Sequence, residues 1–244
     1  MKPGRGAGNV LMSERDRPLY IVPAYNEGAN IAAVIADLLT VAAPTEILVV
    51  SDGSTDDTAA VVRRTPVAFL ELPFNNGVAT VLKAGFGYAL RHDFPCAVQF
   101  DGDGQHIAAE AKKILAPVRA DKCDIAVGYR FGKSRIVSSK ARVLGRMLIS
   151  GFLILLTRQY HADPTSGFRA YSRRAIERFA RDFPEEFPEV ESIVLAKKFG
   201  LRLRGEPVTM RPRRGGKSSI KFFGSIYYMI KVTLASLIMM LRRY

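Results

Sequence analysis

Cysteine and acid are the scarce residues of this chain. Cys96 and Cys123 are the two cysteines in 244 residues, and no CxxC pair occurs. That excludes a disulfide scaffold and a zinc ribbon, and it fits buried thiols in a reducing compartment. No GxxxxGK[ST] run exists, so a P-loop is excluded. Residues 1–17 read as a flexible leader, with charge, glycine and proline but no apolar stretch of a secretory signal. A cytoplasmic location is therefore expected. Internal repeats and low-complexity tracts are lacking as well. The 48% of hydrophobic residues suffices for a packed core and excludes disorder as the main state.

Acid is missing mainly from the second half. Residues 1–129 hold 12 basic and 15 acidic side chains, whereas residues 130–244 hold 24 basic and 8 acidic. A half this basic seeks anions: acidic lipid headgroups, phosphorylated small molecules or nucleic acid. Nucleic acid is the poorest fit, because basic residues are not interleaved with aromatics on a recognition element.

Up to residue 130 the pattern alternates. Strands are predicted at Leu19–Pro23, Glu46–Asp52, Ala68–Leu72, Cys96–Asp101 and Ile125–Tyr129. Helices are predicted over residues 31–40, 55–64, 77–90 and 109–115. Short links between such elements predict an α/β fold with a mostly parallel sheet covered by helices on both faces. Ligands of such sheets gather beyond the carboxyl ends of the strands. That rule selects Pro23–Glu27, Asp52–Asp57, Asp101–His106 and Arg130. After residue 130 the pattern changes to basic helices, a Gly/Pro/Arg-rich loop and an apolar tail.

Asp101-Gly102-Asp103-Gly104-Gln105-His106 carries the sharpest chemistry. Two carboxylates two residues apart at a strand mouth need a compensating cation or hydrogen bonds. Oxygen ligands of this kind suit Mg²⁺ or Mn²⁺, which also take phosphate oxygens from a substrate. An EF-hand loop fails, since Gln105 and His106 replace its fifth and sixth residues. A dehalogenase-type phosphatase lacks its downstream acids. An Asp/Gly turn is the bland alternative. What remains is a metal bridging the two phosphates of a nucleotide-sugar.

The chain resembles the family 2 glycosyltransferases with the GT-A fold, and most closely their polyprenyl-phosphate, dolichol-phosphate-mannose-synthase-like branch. Six segments carry the resemblance: Ile21-Val-Pro-Ala-Tyr-Asn-Glu27, Ser51-Asp-Gly-Ser-Thr-Asp-Asp-Thr58, the DGDGQH run, Gly128-Tyr-Arg-Phe131, Asp163-Pro-Thr-Ser-Gly-Phe-Arg169 and Arg213-Arg-Gly-Gly-Lys-Ser-Ser219. It implies that Pro23, Tyr25 and Glu27 line a nucleoside pocket and that Asp52 contacts the base. It implies that Asp101, Gly102 and Asp103 hold ribose and metal-diphosphate, with Gln105 near the metal. Lys83 is the lysine available to the diphosphate, although Asn75–Val81 departs from the family's glycine- and lysine-bearing turn. His106 is expected to pack behind the site. Arg130, Arg135, Ser139 and Arg169 are expected at an acceptor phosphate, and Asp163 beside the reaction centre. Arg213, Lys217 and Ser218 are expected in a lid that closes over the diphosphate and excludes water.

The implied reaction is inverting sugar transfer to a polyprenyl phosphate, or alternatively to a saccharide acceptor, for which Glu189, Glu191 or Asp163 would serve as base. The QxxRW segment of processive members is missing. Residues 18–220 are expected as the transferase domain, divided at 129/130, and 221–244 as an amphipathic helix on the membrane surface. In that tail Lys221, Ser225, Lys231, Ser236, Arg242 and Arg243 share one arc of the wheel, pointing to headgroups. An integral-membrane partner is a further expectation.

Overall fold

The computed structural model describes residues 17–130, 150–184, 186–212, 231 and 233–240. Seven strands form one sheet: β1 (Pro18–Ala24), β2 (Ile47–Asp52), β3 (Ala68–Leu72), β4 (Cys96–Gln99), β5 (Ile125–Arg130), β6 (Arg169–Ser172) and β7 (Leu203–Val208), in the order β3-β2-β1-β4-β6-β5-β7. The helices are α1 (Ile31–Leu38), α2 (Thr58–Val62), α3 (Val78–Arg91), α4 (Ala111–Arg119), α5 (Arg173–Arg181) and α6 (Pro188–Lys198). Residues 150–157 and 233–240 are also helical.

Period-two alternation divides the core. Tyr20, Val22, Ile47 and Val49 pack on one face with residues of α1 and α4. Leu19, Ile21, Leu48 and Val50 pack on the other with α3 and α5. Apolar residues on both sides of every central strand explain the near-continuous hydrophobic runs in sequence. All the elements expected before residue 130 are present, with ends shifted by a few residues.

Beyond residue 130 the structure adds two strands that the pattern did not announce. β6 is four residues long and runs antiparallel between β4 and β5, pairing Gln99 with Arg169 and Ala126 with Ala170. β7 then joins β5 in parallel. One sheet therefore spans both halves of the chain. The direction of β6 matters most for function. Because it is antiparallel, the loop before it lies at the same edge as the ends of the parallel strands.

α6 is buried along nearly its whole length, from Pro188 to Ala196. Leu153, in the 150–157 helix, packs on its Val190, Ile193 and Val194. Met239 shares a core cluster with its Leu195 and Ala196. Lys198 Nζ donates to the carbonyls of Met239 and Met240, at 2.9 and 3.1 Å, and so ties α6 to the 233–240 helix. Ser236 is fully buried. Of the expected headgroup-facing arc, Ser236 is corrected: it turns inward with Met239, while Leu234, Leu237 and Ile238 turn to solvent; Lys221, Ser225, Arg242 and Arg243 lie outside the described residues. Lys231 pairs with Glu186 at 3.6 Å. Among the described residues, no helix is long and apolar enough to cross a membrane.

Candidate active site

The site is assembled from loops at the carboxyl edge of the sheet, each held by its neighbour. After β1, Asn26 adopts a left-handed backbone, φ 54°. Its side-chain oxygen accepts from the amide of Thr55 at 2.8 Å, and its own amide donates to Ser54 Oγ at 3.2 Å. Glu27 donates its amide to Thr58 Oγ1 at 2.9 Å, and its carboxylate accepts from Asn30 Nδ2 at 2.8 Å. The segments after β1 and β2 are thus stitched together. Tyr25 stands outward at 46% exposure, beside half-buried Pro23.

Asp52 is buried at the end of β2. Its two carboxylate oxygens accept from the amides of Asn76 and Gly77, at 2.9 and 2.8 Å. The carboxylate expected to contact a base is thereby engaged in anchoring the β3–α3 turn. Lys83 lies half-buried in the second turn of α3.

The acidic loop follows β4. Gln99 Nε2 lies 3.4 Å from Asp101 Oδ1, and Gln99 Oε1 accepts from the hydroxyl of Tyr171 at 3.2 Å. Gly102 is buried, and a β-carbon there would sit 2.8 Å from the carbonyl oxygen of Pro23. Asp103 accepts from the amide of Gln105 at 3.0 Å and from its side-chain nitrogen. Gln105 Oε1 in turn accepts from Arg130 Nη2 at 3.2 Å. Gln105 is therefore a bridge between Asp103 and Arg130, with its amide oxygen turned to the guanidinium. That differs from the expected metal ligand, because the atom that would bind a cation faces a cation already.

His106 is buried behind this loop, stacked on Phe168 with centroids 4.5 Å apart. Its Nδ1 accepts from the amide of Asp101 at 3.0 Å, so the proton sits on Nε2, 3.6 Å from Asp101 Oδ2. Burial lowers its pKa, with Asp101 and Asp103 opposing and Arg130 reinforcing the shift. The packing role expected from sequence agrees with this geometry.

From the second half, the loop before β6 meets Asp101. A β-carbon on Gly167 would lie 2.7 Å from Asp101 Oδ2 and 3.0 Å from Gln99 Nε2. A side chain there would collide with the carboxylate, so glycine is what lets this loop approach it closely. Asp163 closes a turn, accepting from the Thr165 hydroxyl at 2.8 Å.

Two expected site residues are corrected. Arg169, expected at an acceptor phosphate, is 1% exposed. Its guanidinium donates to the carbonyls of Ser166 (2.8 Å), Pro164 (3.0 Å) and Glu189 (2.7 Å) and to Ser192 Oγ (2.7 Å). Its donors are spent inside the fold, tying the loop to the start of α6. Glu191, expected as a catalytic group, is also buried and accepts from the amide of Phe187 at 3.0 Å, an N-terminal cap of its own helix. In Glu189, the other acid of this pair, burial raises the pKa, while Arg169 lowers it and Asp101 raises it. Arg135, Ser139, Arg213, Lys217 and Ser218 lie outside the described residues.

Several supports were missed in sequence. Gln99, a polar residue in an apolar strand, was a legible signal. Arg211, at the entrance to the Gly/Pro/Arg-rich loop, is anchored, with its amide on the Gln105 carbonyl at 2.8 Å and its guanidinium on Asp37 Oδ2 at 3.0 Å. Among the described residues no cluster of three His, Cys, Asp or Glu side chains could hold a metal ion alone. Asp101 and Asp103 supply two carboxylates with hard oxygen donors. That set fits a Mg²⁺ or Mn²⁺ ion whose remaining ligands are phosphate and water.

A mostly parallel α/β sheet with strand-end acids, and one antiparallel strand whose preceding loop meets those acids, is the architecture of a GT-A glycosyltransferase. Residues 20–179 match the family described as Glycosyl transferase family 2. The chain belongs to that family. It is 30% identical over 184 residues to the polyprenol monophosphomannose synthase of Mycolicibacterium smegmatis, covering 72% of this chain and 69% of that one. It is 26% identical over 221 residues to the undecaprenyl-phosphate mannosyltransferase of Micrococcus luteus, covering 84% and 87%. Among solved structures, glucosyl-3-phosphoglycerate synthase from Mycobacterium tuberculosis, in complex with Mn²⁺, UDP-glucose and phosphoglyceric acid, superposes with a TM-score of 0.69 at 19% identity, covering 98% and 84%.

Proposed function

We propose that this glycosyltransferase moves a sugar, with inversion, from a nucleotide-sugar to a polyprenyl phosphate at the cytoplasmic face of a membrane. One observation carries the reading. The Asp101–Asp103 loop, Arg130 and the Gly167 loop converge at one edge of the sheet, where donor diphosphate and acceptor can meet. The named activities of the mannosyl-transferring relatives support the acceptor class.

In this reading Pro23, Tyr25 and Glu27 hold the nucleoside, and Lys83 with the 213–218 run serves the diphosphate. Asp101 and Asp103 would hold a Mn²⁺ or Mg²⁺ ion, which when bound offsets the charge developing on a leaving nucleoside diphosphate. Gln105 fixes Asp103 and Arg130 relative to each other. Arg130, with Arg135 and Ser139, orients the acceptor phosphate for attack from the face opposite the leaving group. A phosphate oxygen is already anionic, so positioning suffices and no strong base is needed. The transferase domain is residues 18–220. The basic second half and the outward Leu234, Leu237 and Ile238 support docking on an anionic bilayer.

A saccharide acceptor is the second reading, favoured by Glu189. Its carboxyl, raised by burial beside Asp101 and Arg169, suits a general base for a sugar hydroxyl.

The test uses purified full chain, Mn²⁺ and labelled nucleotide-sugars, with and without polyprenyl phosphate. Label entering the organic phase, and lost in Asp103→Ala, supports the lipid-phosphate reading. Nucleoside diphosphate release that rises with added saccharide, with no organic-phase label, supports the second. No turnover with any donor overturns both.

A further inference from the structure

β4 buries one polar side chain among apolar ones. Gln99 is 2% exposed and follows Cys96, Ala97 and Val98, all of them buried. A buried amide costs stability unless both of its ends are bonded, and an aliphatic residue here would need no partner. The two ends of Gln99 reach different elements. Oε1 accepts from the Tyr171 hydroxyl at 3.2 Å, and Nε2 lies 3.4 Å from Asp101 Oδ1. The second contact is long for an N–H···O bond, and the charge on its acceptor strengthens it.

The direction of this chain is fixed from both ends. An ionised carboxylate only accepts, so Gln99 turns its nitrogen to Asp101 and its oxygen to Tyr171, and the Tyr171 hydroxyl must donate. Burial pushes the pKa of that hydroxyl up to about 12, opposed by the Arg169 guanidinium, so the proton stays in place. The Tyr171 ring packs edge-on against Phe86, with centroids 5.0 Å apart. A phenylalanine would make the same contact, so what tyrosine adds is the hydroxyl that orients Gln99.

β4 and β6 pair Gln99 with Arg169 and Ala97 with Tyr171, so Tyr171 stands diagonally across the ladder from Gln99. The segment through β6 thus reaches Asp101 twice, by the close approach of Gly167 and, through Gln99, from Tyr171. A neutral amide aims the carboxylate and leaves its charge available to a cation.

We infer that Gln99, oriented by Tyr171, is a positioning residue for Asp101, setting its carboxylate for the metal-bound diphosphate of the donor. The inference rests on the metal reading above and adds to it two residues that the motifs did not single out.

Titration calorimetry of the full chain with UDP and with GDP, in Mn²⁺ and again in EDTA, tests the pair. The quantity read is the gain in nucleotide affinity that Mn²⁺ brings. Gln99→Met, which keeps the length of the side chain and removes its donor, should cut that gain by about tenfold or more, the usual effect of losing a partner behind a metal ligand. Tyr171→Phe should cut it in the same direction by less, and should add nothing in the Gln99→Met background. Affinity in EDTA should stay the same in every variant, which a general loosening of the site would not allow. Should Gln99→Met lower the melting temperature, Tyr171→Phe decides, because it keeps the ring packing. An unchanged Mn²⁺ gain in Tyr171→Phe, equal losses with and without metal, or full additivity in the double variant overturns the inference and leaves the metal reading intact. No Mn²⁺ gain in the unaltered chain with either nucleotide overturns the metal reading and the inference together.

Discussion

A β-carbon on Gly167 would sit 2.7 Å from Asp101 Oδ2, so the loop before β6 and the acidic loop after β4 share one van der Waals boundary. Any residue other than glycine must push one of them away. Gly167→Ala should lower kcat/KM by about 10²-fold, since a displacement of about 1 Å at a reacting centre costs that much. Circular dichroism should report an intact fold. Unchanged kcat/KM would mean that the two loops are not coupled.

Arg169 separates a structural role from a binding role. Arg169→Met leaves the carbonyls of Pro164, Ser166 and Glu189 without their donor, and unsatisfied buried groups of this kind should cost at least about 3 kcal/mol in total. Urea unfolding measures it. Arg169→Lys should not restore stability, because an ammonium cannot reach the same spread of acceptors as the planar fork. Loss of activity with full stability would return Arg169 to the acceptor site.

His161 gives a pH signature. Burial, with Arg169 adding to the effect, pushes its pKa down to about 4. Its Nε2 lies 3.2 Å from Thr157 Oγ1. In the unfolded chain the imidazole takes up its proton near pH 6.5. The folded value is the lower one, so the unfolded state binds more protons between the two. The contribution is therefore present above about pH 6.5 and is lost as pH falls toward 4. Melting temperatures across that window should fall more steeply for the unaltered chain than for His161→Gln. Equal slopes would reject the shift.

Ser236 tests the orientation of the last helix. Its hydroxyl is buried with no hydrogen-bond partner among the described residues. Ser236→Ala should stabilise the protein by about 1 kcal/mol in urea unfolding, because it removes an unpaired polar group. Ser236→Lys should destabilise it strongly. A neutral lysine substitution would mean that this face looks outward after all.

Some of this was legible in the chain. Apolar runs such as Ile47–Val50, bounded by turn residues and alternating with helical periods, mark the parallel strands, and the carboxyl-edge rule then locates Asp52, Asp101 and Asp103. β6 was not legible, because Arg169–Ser172 is four residues with no periodicity and its pairing is decided by neighbours far away in sequence. The same holds for Arg169 and Glu191. Charge at a loop or helix start reads as a binding group, and only burial against Ser192, Glu189 and Phe187 reveals their partners.

The sequence by itself determined the fold class, the acidic strand-end motif and the asymmetry of charge, because these are local: strand hydrophobicity, acids at strand ends, basic residues counted along the chain. Tertiary structure alone decided which side chains remain available. Hydrogen-bond satisfaction depends on groups brought together by the sheet. It assigned Asp52 to the turn at Asn76 and Gly77, Gln105 to the span between Asp103 and Arg130, and Ser236 to the interior, while leaving Tyr25 facing the solvent.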